Sequence, residues 1–150
     1  MSYNRNNNYN NRNNRSNTSN QELADINQKI DKLEMLKDMK TKDYADENGY
    51  AFIVAKNSRN LNTNQLRKFF ASVKKFEQKD SWDEIEPEFY LLKPQLAAAV
   101  GRKNIPKSFY KIIMTCMKKV DIGENIDKME NIKTFVKFYE SIVAYHKFLE

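Results

Sequence analysis

A chain of 150 residues with only three glycines and three prolines has few places to turn sharply. Hairpins and tight β-turns rely on those residues for positive or fixed backbone angles, so a protein built of many short strands is disfavoured. Apolar residues instead recur at three- and four-residue spacing along most of the chain, which marks one buried face per helix. The expected fold class is all-α, a compact bundle of about five helices preceded by a disordered Asn-rich N-terminal tail.

Residues 1–20 contain ten asparagines and almost no aliphatic side chain. Such a segment cannot bury enough surface to offset the entropy of ordering, so it reads as the disordered tail, and residues 21–150 as one helical-bundle domain. Behind Asn20 as N-cap, Leu23, Ile26, Ile30, Leu33, Leu36 and Met39 share one face of an amphipathic helix of about six turns. That stripe is close to a heptad seam, able to pack on its own domain or to pair with another copy.

After Gly49, residues 50–54 form an apolar knot, a short helix or a packed connector. Thr63 is the expected N-cap of a helix with Leu66, Phe69, Phe70, Val73 and Phe76 on one face. Pro94 predicts a break near Lys93 and a fresh helix from Pro94 to about Arg102. There Ala97, Ala98 and Ala99 would admit a close neighbour, and Gly101 would end the helix left-handed or mark a close backbone approach. Pro106 opens the next helix, with Phe109, Ile112, Ile113, Cys116 and Val120 inward and Gly123 closing it. The last helix runs from about Asn125 to Phe148 with Met129, Ile132, Phe135, Val136, Tyr139, Ile142, Val143 and His146 at core spacing.

The net charge of +6 is unevenly distributed. Residues 1–20 carry +3, residues 21–54 carry −3, residues 55–119 carry +8 and residues 120–150 carry −2. A basic middle flanked by acidic stretches suggests a polyanion surface such as nucleic acid, against the plainer reading that lysines solvate a small domain. Arg67 and Lys74 share one stripe of their helix beside its apolar face, and Lys68 and Lys75 share the stripe opposite it. Arg102 and Lys103 suit the negative end of a helix dipole, which is reason enough for them. Lys107 and Lys111 sit at the start of the next helix, where the dipole offers a lysine nothing, and a phosphate would account for all four charges at once.

No Gly-rich phosphate loop, His-Glu zinc motif or nucleophile elbow is present, and a single cysteine and a single histidine supply neither a triad nor a metal cluster. No catalytic, metal-binding or cofactor-binding residues are therefore assigned, and the chain is read as a non-enzyme. The acids Asp80, Asp83, Glu84, Glu86 and Glu88 lack calcium-loop spacing and sit ahead of a helix, where they favour its dipole. His146 falls in a core pattern, and Cys116 behaves as a small buried hydrophobe. Trp82 and Tyr90 read as packing residues near a bend. With no apolar run of 18 residues and no charged-then-apolar leader, the expected location is cytoplasmic, with no membrane partner.

Three segments, LNTNQLRKFFASVKKF, LLKPQLAAAVGRK and FVKFYESIVAYHKF, resemble in order and spacing the small subunit of the type III-A (Csm) CRISPR effector complex over residues 61–149. Ala98 stands where that family often carries an aromatic, and Ser141 where alanine is usual. The resemblance implies a non-catalytic, all-helical protein of antiviral defence. Several self-associating copies would line the guide RNA–target RNA duplex in a filament with the other subunits of the effector complex. Arg67 matches the arginine of the family's Gln-Leu-Arg and Arg102 that of its Gly-Arg, and both are implied to face RNA. Helical geometry adds Lys68, Lys74, Lys103, Lys107 and Lys111 as candidate RNA-binding residues. Contacts to phosphates and sugars are expected, since an interchangeable guide requires sequence-independent binding. The alternative is a helical protein-interaction or dimerisation module, paired through residues 23–39 or the last helix, without direct nucleic-acid binding.

Overall fold

The computed structural model describes residues 19–58 and 60–150, and the described residues form helices and no β-strand. The expectation of disorder falls on residues 1–18, which lie outside the described residues, and on residues 19 and 20, which are already helical. Seven α-helices occur among the described residues: α1 (19–31), α2 (Thr41–Ala45), α3 (Tyr50–Lys56), α4 (Thr63–Lys74), α5 (Trp82–Gly101), α6 (Lys107–Lys118) and α7 (Asn125–Phe148). The five long ones are the expected bundle. The short α2 and α3 occupy the turn and apolar knot ahead of α4, and 3-10 turns cover Leu36–Asp38 and Lys75–Gln78.

The predicted six-turn first helix is in fact shorter and stops at residue 31. Asn20 lies inside it and is not its cap. Beyond residue 31 the backbone exchanges helical hydrogen bonds for tertiary ones. The Leu36 N–H donates to the Lys119 carbonyl at 3.0 Å, and the Lys37 N–H donates to Asn131 Oδ1 at 2.8 Å. These bonds hold Leu36 fully buried and Met39 nearly so, and the tertiary contacts outweigh local helix propensity. Leu23, Ile26 and Ile30 are buried within the chain, so the near-heptad stripe packs on its own domain.

α4 is capped by Asn62, whose side chain accepts from the Gln65 N–H at 3.2 Å, one residue earlier than expected. The Thr63 hydroxyl instead donates to Glu150 at 2.9 Å.

α5 departs most from the sequence reading, running unbroken through Pro87 and Pro94 for 20 residues. Both prolines lie on the solvent face, so the carbonyls of Asp83 and Tyr90, which lose an N–H partner, can turn to water. The opposite face buries Trp82, Ile85, Phe89, Leu92, Leu96 and Ala99, a stripe that continues across both prolines and keeps the helix continuous through them. Of the three alanines only Ala99 is buried; Ala97 and Ala98 face outward.

The turn leaving α5 is a Schellman motif. The Asn104 N–H donates to the Ala99 carbonyl at 2.9 Å and the Lys103 N–H to the Val100 carbonyl at 2.9 Å. Its left-handed residue is Lys103, with φ of 63°, and not Gly101, which sits in the last helical turn with open space around its α-carbon. The Asn62 N–H donates to the Asn104 carbonyl at 3.2 Å and ties this turn to the start of α4.

α6 presents the expected inward face, but it ends at Lys118, ahead of Gly123. Gly123 lies in the following loop at φ 87°, where an added Cβ would sit 2.7 Å from Asp127 Oδ2 and 2.8 Å from Met35 Cε.

α7 is the central element, packing against α2, α3, α4, α5 and both 3-10 turns. Around it Phe135, Phe138, Tyr139 and Ile142 are fully buried, and His146 is a core histidine as expected. Asn131 is also fully buried; its amide donates to the Val120 carbonyl at 3.0 Å while its oxygen receives Lys37 N–H. One side chain thus joins the first 3-10 turn, the end of α6 and α7. Lys37 Nζ adds an ion pair to Asp127 at 2.6 Å. The Tyr139 hydroxyl donates to the Leu66 carbonyl at 3.2 Å, locking α7 to α4, and burial raises its pKa. Burial likewise raises the pKa of the Cys116 thiol.

Candidate nucleic-acid interface

α4 and α5 diverge on the surface and leave a groove between them. At its α5 C-terminal end Gln65, Lys68, Phe69, Leu91, Pro94, Gln95, Ala98 and Arg102 enclose about 460 Å³. It continues past Leu91 and Gln95 into a second recess lined by Ser72, Lys75, Phe76 and Glu88. Helical phase explains why α4 presents these side chains together. With Leu66, Phe69 and Val73 turned inward, Gln65 and Ser72 are seven residues apart and so are Lys68 and Lys75, so each pair recurs on one stripe. α5 supplies the far wall because Leu92, Leu96 and Ala99 fix its inner face, which leaves Leu91, Gln95, Ala98 and Arg102 along the flank.

The candidate residues separate into groups. Lys68 and Arg102 come together in this groove. Lys107 and Lys111 line a different recess, against Asn20, Leu23, Ala24 and Asn27 of α1. Lys103 is exposed on the left-handed turn between them. Arg67 is exposed on the stripe it shares with Lys74, the opposite side of α4 from the groove. Lys74 is engaged within the chain, pairing with Glu77 at 3.0 Å and Glu140 at 3.7 Å. The hydrogen bond to Glu77 is the main cause of its raised pKa. Lys75 is the groove cation left out of the sequence-based set, although its seven-residue spacing from Lys68 was the signal.

The groove is suited to gripping a polyanion backbone. Lys68, Lys75 and Arg102 offer positive donors for phosphate oxygens, and Gln65, Ser72 and Gln95 offer uncharged polar groups of the kind that meet sugar hydroxyls. Leu91, Pro94 and Ala98 give it a smooth wall with no donor or acceptor to read a base edge.

The acidic cluster, expected ahead of a helix, lies within the first turns of α5 apart from Asp80, and it has a structural use. Ser81 caps the helix by accepting from the Glu84 N–H at 3.4 Å, and the Asp80 N–H donates to the Glu84 carboxylate at 3.4 Å. Among the described residues no three His, Cys, Asp or Glu side chains converge as a metal site. Trp82 and Tyr90 pack as aromatic neighbours of Phe89. The Tyr90 hydroxyl donates to Asp121; that bond is the main reason the tyrosine pKa rises to about 12 and the carboxylate pKa falls. Lys128 completes the clamp at 2.9 Å from Asp121, joining α5 to the start of α7.

The family model described as Csm2 Type III-A matches residues 36–150, the whole stretch from the first 3-10 turn through α7. The chain belongs to the Csm2 Type III-A family. It is thus a small subunit of the type III-A Csm complex of CRISPR defence, a structural small-subunit family that assembles with other Csm subunits. The matched Csm2 region contains the whole α4–α5 groove, whereas α1 precedes it. No curated protein and no solved structure matches the chain. No described helix of this Csm2 chain is long and apolar enough to cross a membrane.

Proposed function

We propose that this subunit lines the guide RNA–target RNA duplex of a type III-A complex, in several copies and without catalysis of its own, through the groove between α4 and α5. The observation that supports it most is the convergence of Lys68, Lys75 and Arg102 on one groove from two helices. Three cations along one groove can neutralise phosphates of a backbone, and the apolar wall leaves sequence to the guide. Lys103 extends the positive end of the groove, while Arg67, Lys107 and Lys111 form outlying contacts. Its partners are the guide and target RNAs, neighbouring copies and the other Csm subunits, and its place of work is the cytoplasm.

The alternative, a dimerisation module paired through residues 23–39 or the last helix, requires faces that are buried inside the chain.

The test is RNA binding by the isolated protein and by the reconstituted complex, measured by fluorescence anisotropy across a salt series. Binding is expected to be independent of sequence and to weaken steeply with salt. Lys68→Glu with Arg102→Glu should lower affinity at least about tenfold at moderate salt, and Lys74→Glu much less because Lys74 is already ion-paired. Salt-insensitive binding, or an unaltered double variant, would sink the groove reading.

A further inference from the structure

The recess between α7 and the second 3-10 turn is a small apolar cup with a positive rim. Phe76, Met129 and Ile132 form its floor, and Lys79, Lys133 and Lys137 stand around it with Glu77, enclosing about 210 Å³. It shares only Phe76 with the α4–α5 groove and none of the groove's cations. Helical phase builds it. Met129, Lys133 and Lys137 follow at four-residue steps along one stripe of α7, while Ile132 turns inward.

The lysines of this rim have no acid to answer them among the described residues. Glu77, the carboxylate of the recess, pairs with Lys74 at 3.0 Å. The flanking acids of α7 are engaged elsewhere, Glu130 with Lys37 at 3.4 Å and Glu140 with Lys74 at 3.7 Å. Lys79, Lys133 and Lys137 enter no ion pair among the described residues, and Lys133 and Lys137 are exposed. Like charges gathered around one cup repel one another, and an anionic occupant relieves that repulsion.

The chemistry of the cup selects the occupant. An apolar cavity of about 150 Å³ holds a benzene-sized group, so this one has room for a single large apolar side chain. Phe76 and Ile132 are all but buried, which leaves a nucleic-acid base no open ring face to stack on and no hydrogen-bond partner in the floor. A fatty acid brings one carboxylate to three lysines. A peptide can bring an apolar residue with carboxylates on both sides of it. We infer that the cup docks an acidic segment of another protein. One large apolar side chain sits on Met129 and Ile132, and the flanking carboxylates meet Lys79, Lys133 and Lys137. The unbranched thioether of Met129 adapts to the shape of what enters, and the whole is an anchor pocket inside a charged rim.

Fluorescence anisotropy with the full chain tests this, using a labelled, end-blocked peptide of one leucine between two runs of three glutamates. Saturable binding is expected, and it should weaken as salt rises. Exchanging the peptide's leucine for serine should cost at least about tenfold, the scale of burying one such side chain. Lys133→Glu with Lys137→Glu should also weaken binding at least about tenfold, with an unchanged circular dichroism spectrum because both side chains are exposed. Lys68→Glu with Arg102→Glu should bind the peptide as the wild type does, so the cup and the groove are tested separately. Failure of the wild type to saturate by about 1 mM, or equal binding by the serine peptide or the Lys133 and Lys137 variant, overturns the inference. Displacement of the peptide by a short RNA oligonucleotide would give the cup to nucleic acid. A bound fraction that falls as protein concentration rises would give it to a second copy, and either result overturns the inference too.

Discussion

Replacing Lys103 with glycine should stabilise this protein. Lys103 holds the left-handed position of the Schellman turn after α5, at φ 63°. There a residue with a Cβ pays about 1–2 kcal/mol for its clash with the carbonyl oxygen. Glycine removes that cost but gives the unfolded chain more freedom, offsetting about 0.5–1 kcal/mol. The net gain is about 0.5–1 kcal/mol, or about 3 °C in the melting temperature of a domain of this size. Gly101→Ala supplies the companion measurement. Because Gly101 is helical with nothing within 4 Å of an added Cβ, alanine should also stabilise, by about 0.5–1 kcal/mol. Thermal unfolding followed by circular dichroism reads both. The assignment of the turn residue fails if Gly101→Ala lowers the melting temperature and Lys103→Gly leaves it unchanged, the pattern expected had Gly101 been the left-handed residue.

Three further outcomes follow from the geometry. Asn131→Ala leaves the Lys37 N–H and the Val120 carbonyl without their partner and should cost about 2–4 kcal/mol, read as a lower urea midpoint with unchanged slope. Gly123→Ala meets both a positive φ and two sub-3 Å contacts, so it should destabilise by at least about 1 kcal/mol where Gly101→Ala stabilises. Asp127 has its pKa lowered chiefly by the hydrogen bond from Lys37, then by the Glu124 N–H. A carboxyl whose folded pKa lies below its unfolded value contributes stability above about pH 4 and loses it as pH falls through the folded value. The wild type should therefore lose stability on acidification faster than Asp127→Asn, and parallel curves for the two would refute the pairing's role.

The helices were legible where one face alone decided them. Phe109, Ile112, Ile113 and Cys116 repeat at helical spacing and are all buried, and α7 begins and ends where the pattern placed it. The pattern failed where two influences compete. Pro94 is a strong local breaker, yet the stripe from Trp82 to Ala99 continues across it and wins because the proline faces water. The opposite happened after residue 31, where a helical pattern was unbroken but Leu36 and Lys37 found better hydrogen-bond partners 83 and 94 residues away. Of the candidate site, the stripe holding Lys68 was readable from spacing on one helix. Its meeting with Arg102 depends on how α5 sits beside α4, which spacing within one helix does not encode.

The position of α7 in the chain has a consequence for how the protein is made. The helix on which α2, α3, α4 and α5 pack is translated after all of them. Tyr145 donates to the Ala45 carbonyl at 2.5 Å across 100 residues, and the core aromatics Phe135, Phe138 and Tyr139 leave the ribosome after every surface they cover. Until α7 emerges, the apolar faces that it covers on the earlier helices have no partner within the chain, the kind of exposed surface that favours aggregation.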